Sequence, residues 1–292
     1  MDKLSILYVV IAGVSWGTSG IFSNLLKGLG FSSLHASSLR SIFAFLVLFC
    51  LIVLTDRKKL KTKPKELLLF ACAGICSFAS GSFYFASIVA TSLSTAVTLM
   101  YTAPIMVMIL SVLFLGERFT PVKLVAVLLA FAGCGLVTGI IGGLRFDAWG
   151  IILGLLSGLA YCLYTILTKI SAKRGNDSMT TTLYAFLFGG FISLFFCNPA
   201  GMFSVAAEFP GMSALWALSI GVFSGALPYF FFTLSMRKLP AGVASAMSSI
   251  EPMTATIVSV VLYHERLTIG ALIGIVCILL SVILLSRQKA ES

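Results

Sequence analysis

Apolar runs of about 17 to 25 residues, the length a helix needs to cross a hydrocarbon layer roughly 30 Å thick, follow one another along almost the whole chain. Ten are present: Leu4–Leu26, Ser33–Leu54, Leu67–Val89, Leu93–Leu115, Pro121–Ile141, Ala148–Ile170, Thr180–Cys197, Met212–Ser235, Ala241–Tyr263 and Leu267–Ser286. The joints are short and carry charge, Gly or Pro, as in Thr55–Glu66, Lys173–Ser178 and Arg237–Pro240. Continuous runs of this length predict helices, because the strands of a membrane barrel are about ten residues long and alternate polar with apolar. The pattern therefore predicts an all-α integral membrane protein with ten transmembrane helices.

Composition removes the soluble alternative. The 292 residues are 59% apolar and 10% charged, whereas a soluble domain carries about a quarter charged residues. A net charge of +10 would point to nucleic acid in a soluble protein, but its distribution gives it another meaning. With the amino terminus inside, sixteen Lys and Arg, from Lys3 through the Arg57–Lys65 cluster to Lys289, fall on the cytoplasmic side. Only Lys27, Arg145 and Arg266 fall outside, and Arg40 lies within a span. This asymmetry places both termini in the cytoplasm of a cell-membrane protein, with the lipid bilayer and not nucleic acid as its partner. The first run is too long, and lacks a small-residue cleavage site, for a removable signal peptide. The sequon at Asn176 lies on the cytoplasmic side, and the seven cysteines all lie in spans without ligand spacing.

Sliding the chain against itself by 148 residues aligns Pro104–Thr120 with Pro252–Thr268. Pro104 meets Pro252, Ile109 meets Ile257, Ser111 meets Ser259, Val112 meets Val260, Glu117 meets Glu265, Arg118 meets Arg266, and Thr120 meets Thr268. Shared charges and a shared proline are not expected of two arbitrary apolar runs. The expectation is two five-helix repeats, residues 1–143 and 144–292. Five is odd, so the second copy begins on the opposite side of the membrane. Inverted repeats characterise secondary transporters, which hold substrate near the midplane and expose it alternately to either side.

Trp16 and Gly17, Arg40, and the Pro104–Glu117 and Pro252–Glu265 segments also resemble the EamA-type ten-helix members of the drug/metabolite transporter superfamily. The resemblance covers essentially the whole chain. It implies an inner-membrane carrier, an exporter of small metabolites such as amino acids, driven by an ion gradient or running downhill. Two departures break the symmetry between halves: His264 stands opposite Gly116, and Glu251 opposite Ala103.

Glu251 is the acidic residue well inside a span, so it must be paired, protonated or facing a wet cavity. It is a candidate proton carrier, the alternative being a structural glutamate that holds a basic partner or caps backbone loosened by Pro252. Arg40 lies about seven residues inside its helix end, near enough to snorkel outward. It is a candidate for holding a substrate carboxylate with a forked pair of hydrogen bonds, or else a structural partner of a helix end, a headgroup or Glu251. Tyr161, Tyr164, Thr165 and Thr168 form one polar-aromatic stripe on an apolar helix, which should face protein or water. Trp16 is mid-span, unlike Trp149 and Trp216 at span ends. With Tyr101, Thr98 and Ser248 these residues make a candidate lining for an amphipathic or aromatic small-molecule substrate, with helix packing as the structural alternative. Pro104, Pro228 and Pro252 interrupt their helices and are candidate hinges or plain kinks. Glycines four apart, such as Gly13 with Gly17, allow close helix packing.

Enzymatic readings find no footing. Gly13–Gly17 reads G-x-S-x-G, but inside a continuous helix and without the strand and sharp turn that hydrolase motif needs. His35 and His264 lie near span ends, and there is no H-E-x-x-H motif. The absence of a G-x-x-x-x-G-K-[ST] loop argues against ATP-driven transport within this chain, and no ATPase subunit or cofactor is expected, only possible proton coupling.

Overall fold

The computed structural model describes residues 2–139, 147–264 and 266–287. Every regular element among them is helical. In chain order they are α1 Lys3–Gly17, α2 Ser19–Gly28, α3 Ser33–Thr55, α4 Pro64–Ala90, α5 Leu93–Met100, α6 Ala103–Leu115, α7 Pro121–Val137, α8 Ala148–Lys173, α9 Ser178–Ser193, α10 Pro199–Glu208, α11 Pro210–Ile220, α12 Leu227–Ser235, α13 Ala241–Met247, α14 Ile250–Tyr263 and α15 Ile269–Ser286. The starts follow from the sequence. Side chains of Asp2, Ser32, Thr120, Asp147, Asp177 and Thr268 each accept from a backbone N–H of the first turn, satisfying donors that lipid would leave bare.

Among the described residues, eight helical stretches are long and apolar enough to cross a membrane: Lys3–Gly28, Ser33–Thr55, Pro64–Ala90, Leu93–Leu115, Ala148–Lys173, Pro210–Ser235, Ala241–Tyr263 and Ile269–Ser286. Two of the ten expected spans come out shorter. α7 has 17 residues, and the Ile141 end expected for it lies outside the described residues, as do the 143/144 boundary, Arg145, Glu265 and Lys289. α9 has 16 residues, because the chain turns at Leu194 instead of continuing to Cys197. α10 occupies a stretch that the apolar pattern leaves between spans. Large apolar side chains such as Leu54, Val89, Phe114 and Ile269 cover the outside of the bundle, a surface suited to lipid and not to water.

Polar contacts gather the loops onto one face. Asp2 pairs with Lys238 at 3.4 Å, Lys59 with Asp177 at 3.7 Å, and Arg174 with Glu66 at 3.3 Å. Exposed pairs of this kind stabilise by only about 0 to 1 kcal/mol, so their value here is topological. Asn176 also donates to Glu66 at 2.6 Å, which engages the sequon's half-buried amide in this face. Because α15 begins beside Leu136 and Val137 at the end of α7, it runs back to the same face, so both ends of the described chain lie there. We call it the basic face.

On this face the carboxylate of Glu117 accepts from the N–H groups of Ala241 at 2.6 Å and Gly242 at 3.4 Å, capping α13 from another part of the chain. Buried Lys169 donates to the carbonyls of Met236 at 2.9 Å and Leu239 at 2.6 Å, tying the α12–α13 joint to α8. All seven residues of α13 are buried in consequence.

The positions 148 residues apart behave alike. α5 ends and α6 begins around Tyr101 and Thr102, and α13 gives way to α14 around Ser248 and Ser249. Each break precedes a proline, whose missing N–H cannot bond one turn back. α6 and α14 both end in a left-handed residue whose N–H reaches back to a serine carbonyl, Gly116 (φ 68°) to Ser111 and His264 (φ 54°) to Ser259. Glycine takes that conformation freely, whereas a histidine there is strained by about 1 to 2 kcal/mol. The third intramembrane proline, Pro228, follows a π-helical turn at Gly221–Ala226 that absorbs its missing bond.

Close helix packing rests on particular glycines. A Cβ at Gly17 would lie 2.5 Å from that of Thr254 and 2.7 Å from the Glu251 carbonyl oxygen, while one at Gly20 would meet nothing. Gly17→Ala should therefore destabilise the detergent-solubilised protein by about 1 to 3 kcal/mol, as overpacking does, and Gly20→Ala should leave thermal unfolding unchanged. His264→Gly should raise stability by about 1 kcal/mol in the same assay through relief of the left-handed strain; no gain would mean that a histidine-specific contact offsets it.

Candidate functional site

The site grows from the two helix breaks. Because Pro104 offers no N–H, the carbonyl of Met100 loses its usual partner four residues on, and the chain opens by one turn. Pro252 opens the matching turn at Ser248. Breaks of this sort are tolerated at membrane depth only where protein or an aqueous cavity receives the freed groups. Here they bound a cavity of about 20 Å³ lined by Met100, Tyr101, Ala103, Pro104, Tyr161, Ser248 and Glu251.

Five of the lining residues, Tyr101, Pro104, Tyr161, Ser248 and Glu251, are sequence candidates, and the fold brings them together from three separate stretches of chain. Ser248 Oγ donates to the Ser245 carbonyl at 2.7 Å, so the 3.2 Å contact between Tyr161 and Ser248 is donated by the Tyr161 hydroxyl. The Tyr101 hydroxyl is buried and faces Glu251 across the cavity, with no hydrogen-bond partner within 3.5 Å. Glu251 has no ion-pair partner among the described residues. One of its structural alternatives, a carboxylate clamped to a basic side chain, is not what the geometry presents.

Next to the cavity stands an aromatic cluster. Trp16, 6% exposed, meets the edge of Tyr161 at 6.5 Å between ring centroids, Tyr229 at 5.1 Å and Phe232 at 5.3 Å. Tyr164 packs on Tyr229 at 5.4 Å and Phe186 on Tyr229 at 5.0 Å. Each such edge or offset contact adds about 0.5 to 1.5 kcal/mol beyond burial, enough to hold these rings as a fixed wall. The stripe on α8 therefore faces protein, as its spacing requires.

Arg40 enters this cluster from α3, its guanidinium carbon 5.7 Å from the centre of the Tyr229 ring. Its Nε is buried with no hydrogen-bond partner, and neither the Ser37 nor the Ser38 hydroxyl beside it on α3 has one. Arg40 and Ser37 both reach towards Gly81 on α4, lying 3.7 and 3.6 Å from where its Cβ would be. Arg40 has no carboxylate within ion-pair distance among the described residues. It neither snorkels nor pairs with Glu251. A buried donor left unmade costs about 1 to 3 kcal/mol, more when charged, so a patch of unsatisfied donors is a place where an acceptor gains.

Thr98 falls away from this arrangement. It lies in α5 one turn before the break, and its hydroxyl donates to the Ser94 carbonyl at 2.8 Å. Tyr229, Phe232 and Phe186 carry the aromatic wall and are absent from the sequence candidates. A tyrosine next to an intramembrane proline, with an aromatic three residues on, is the signal for the first two.

The EamA-like transporter family matches the chain twice, over residues 3–139 and 148–287. An uncharacterized transporter of Archaeoglobus fulgidus is 30% identical over 96% of this chain and 95% of its own length. The uncharacterized transporter YxxF of Bacillus subtilis is 24% identical over 94% of this chain and 86% of its own. A crystal structure 16% identical in sequence shares the fold, with a TM-score of 0.80 over 97% of this chain and 96% of that one. The chain is a multi-pass membrane protein and belongs to the EamA-like transporter family of the drug/metabolite transporter superfamily.

Proposed function

We propose that this transporter exports small amphipathic metabolites such as amino acids across the cell membrane by alternating access, with ten crossing helices in two inverted five-helix repeats, residues 1–143 and 144–292. The packing supports the repeat. Exchanging first-half helices for second-half ones turns the α4–α8 contact into α12–α1, and the α1–α14 contact into α8–α6. The α3–α9 and α7–α15 contacts map onto themselves. The basic face fits the cytoplasm, with both termini there.

One symmetry is broken, and it fits a molecule caught on one side of its cycle. α6 packs on α13, whereas the matching approach of α5 to α14 is not among the substantial contacts. α13 is buried throughout, but Leu93 of α5 is exposed. The basic face is thus the sealed one, held by Glu117 and Lys169, and the opposite face is the looser.

The observation that carries the reading is that Arg40 and Glu251, opposite charges inside the bundle, are both without an ion pair among the described residues. In a purely structural bundle they would meet, because an unpaired intramembrane charge is costly. Arg40, with Ser37 and Ser38, suits a substrate carboxylate, and Trp16, Tyr161, Tyr164 and Tyr229 suit its apolar part. Glu251, at the break, is left to carry a proton through the cycle.

Flux of a labelled amino-acid and metabolite panel in proteoliposomes, with and without an imposed proton gradient, tests this. Wild type should show saturable, gradient-stimulated flux that Glu251→Gln removes; flux indifferent to both would sink proton coupling, and no flux of any solute would sink the transporter mechanism. Arg40→Lys should weaken binding of acids about 10- to 100-fold, the worth of a forked charge-assisted pair, and spare amides of the same size. Equal loss for both would leave Arg40 a structural role.

A further inference from the structure

We propose that the cavity at the double helix break is a binding site for a single Na⁺ ion, held by Glu251, Ser248, Tyr161 and Tyr101. The inference rests on the reading of Glu251 as the coupling group. Its size is the first argument: at about 20 Å³ the cavity exceeds the roughly 10 to 15 Å³ that one water needs and leaves no room for a substrate group. The occupant is a single water-sized particle.

Hydrogen-bond direction is the second. Ser248 spends its proton on the Ser245 carbonyl and Tyr161 spends its proton on Ser248, so both oxygens keep lone pairs for the cavity. Tyr101 is 6% exposed, and its buried hydroxyl faces the same space with no hydrogen-bond partner within 3.5 Å, Glu251 being the acceptor it faces. A carboxylate and three hydroxyl oxygens form an all-oxygen set, which is what hard cations take. The α5 and α13 half-helices also end here, and the C-terminal ends of broken helices are where carbonyls receive coupling ions in membrane carriers.

Charge is the third. A water molecule would satisfy the hydroxyls but leave the carboxylate unneutralised in a low-dielectric interior, whereas Na⁺ or H⁺ removes that cost. The groups that face Glu251 are Arg40 on α3, Tyr84 on α4, Tyr101 at the α5–α6 break, Cys134 on α7 and Tyr161 on α8. Arg40 is the cation among them, and it stands beyond ion-pair distance.

The test is equilibrium binding of ²²Na⁺ to the purified full-length protein in lipid nanodiscs, with thermal unfolding as a check on folding. Saturable binding is expected, not displaced by K⁺ or choline, and lost in Glu251→Gln. Ser248→Ala, which keeps the charge, should weaken it roughly 10- to 100-fold, the scale of losing one supporting group at a metal site. Absence of saturable binding to folded wild type, or binding that survives both substitutions, would overturn the site. The assay needs no solute: Na⁺ binding without flux of any solute would spare the site and sink transport, while proton-driven flux without Na⁺ binding would do the reverse.

Discussion

In hydrocarbon a backbone carbonyl without a donor has no water to turn to, and each one left so costs several kcal/mol. A chain made of membrane-length helices can therefore interrupt them only where the bundle itself receives the freed groups. Pro104 and Pro252 impose that interruption at equivalent depths, and the cavity, Glu251 and the tyrosines are arranged around it. Pro228 shows the other solution, a π-turn that takes up the defect locally. The same residue type thus has two outcomes, decided by whether a facing helix stands opposite with its own break.

The surrounding wall is built for permanence. Trp16, Tyr161, Tyr164, Tyr229 and Phe232 touch one another edge-on or offset, so none can swing without disturbing the rest. The polar groups differ in kind. Donors without partners gather about Arg40, whereas about Glu251 the Tyr161 and Ser248 oxygens keep spare lone pairs beside the Tyr101 hydroxyl. The site thereby has an electrical polarity of its own, set across a few side chains within an otherwise apolar bundle.

Much of this was legible in the residue pattern because lipid makes the pattern strict. Length and continuity of apolar runs locate the helices, and a lone Glu251 or Arg40 stands out against an apolar background. Other features depend on three-dimensional relations that no local pattern carries. The interruption at Thr18 has no proline to announce it, and α10 is too short and too mixed to register as a span. Thr98 has the right type and spacing for a lining residue, yet its hydroxyl is taken by its own helix. Tyr229 was hidden in the run Tyr229–Phe232, where only the approach of Arg40 distinguishes one aromatic from its neighbours. The equivalence of Gly116 and His264 was visible as an alignment mismatch; that both adopt one left-handed turn required the backbone.

The contact between α1 and α14 at Gly17 has a mechanical corollary. With no side chain between the two helices, the backbone of α1 rests almost directly on the carbonyl of Glu251. There is no compressible layer there to absorb a tilt. A tilt of either helix at this point is passed directly to the other, so α1, which carries Trp16, and α14, which carries Glu251, are coupled through their backbones.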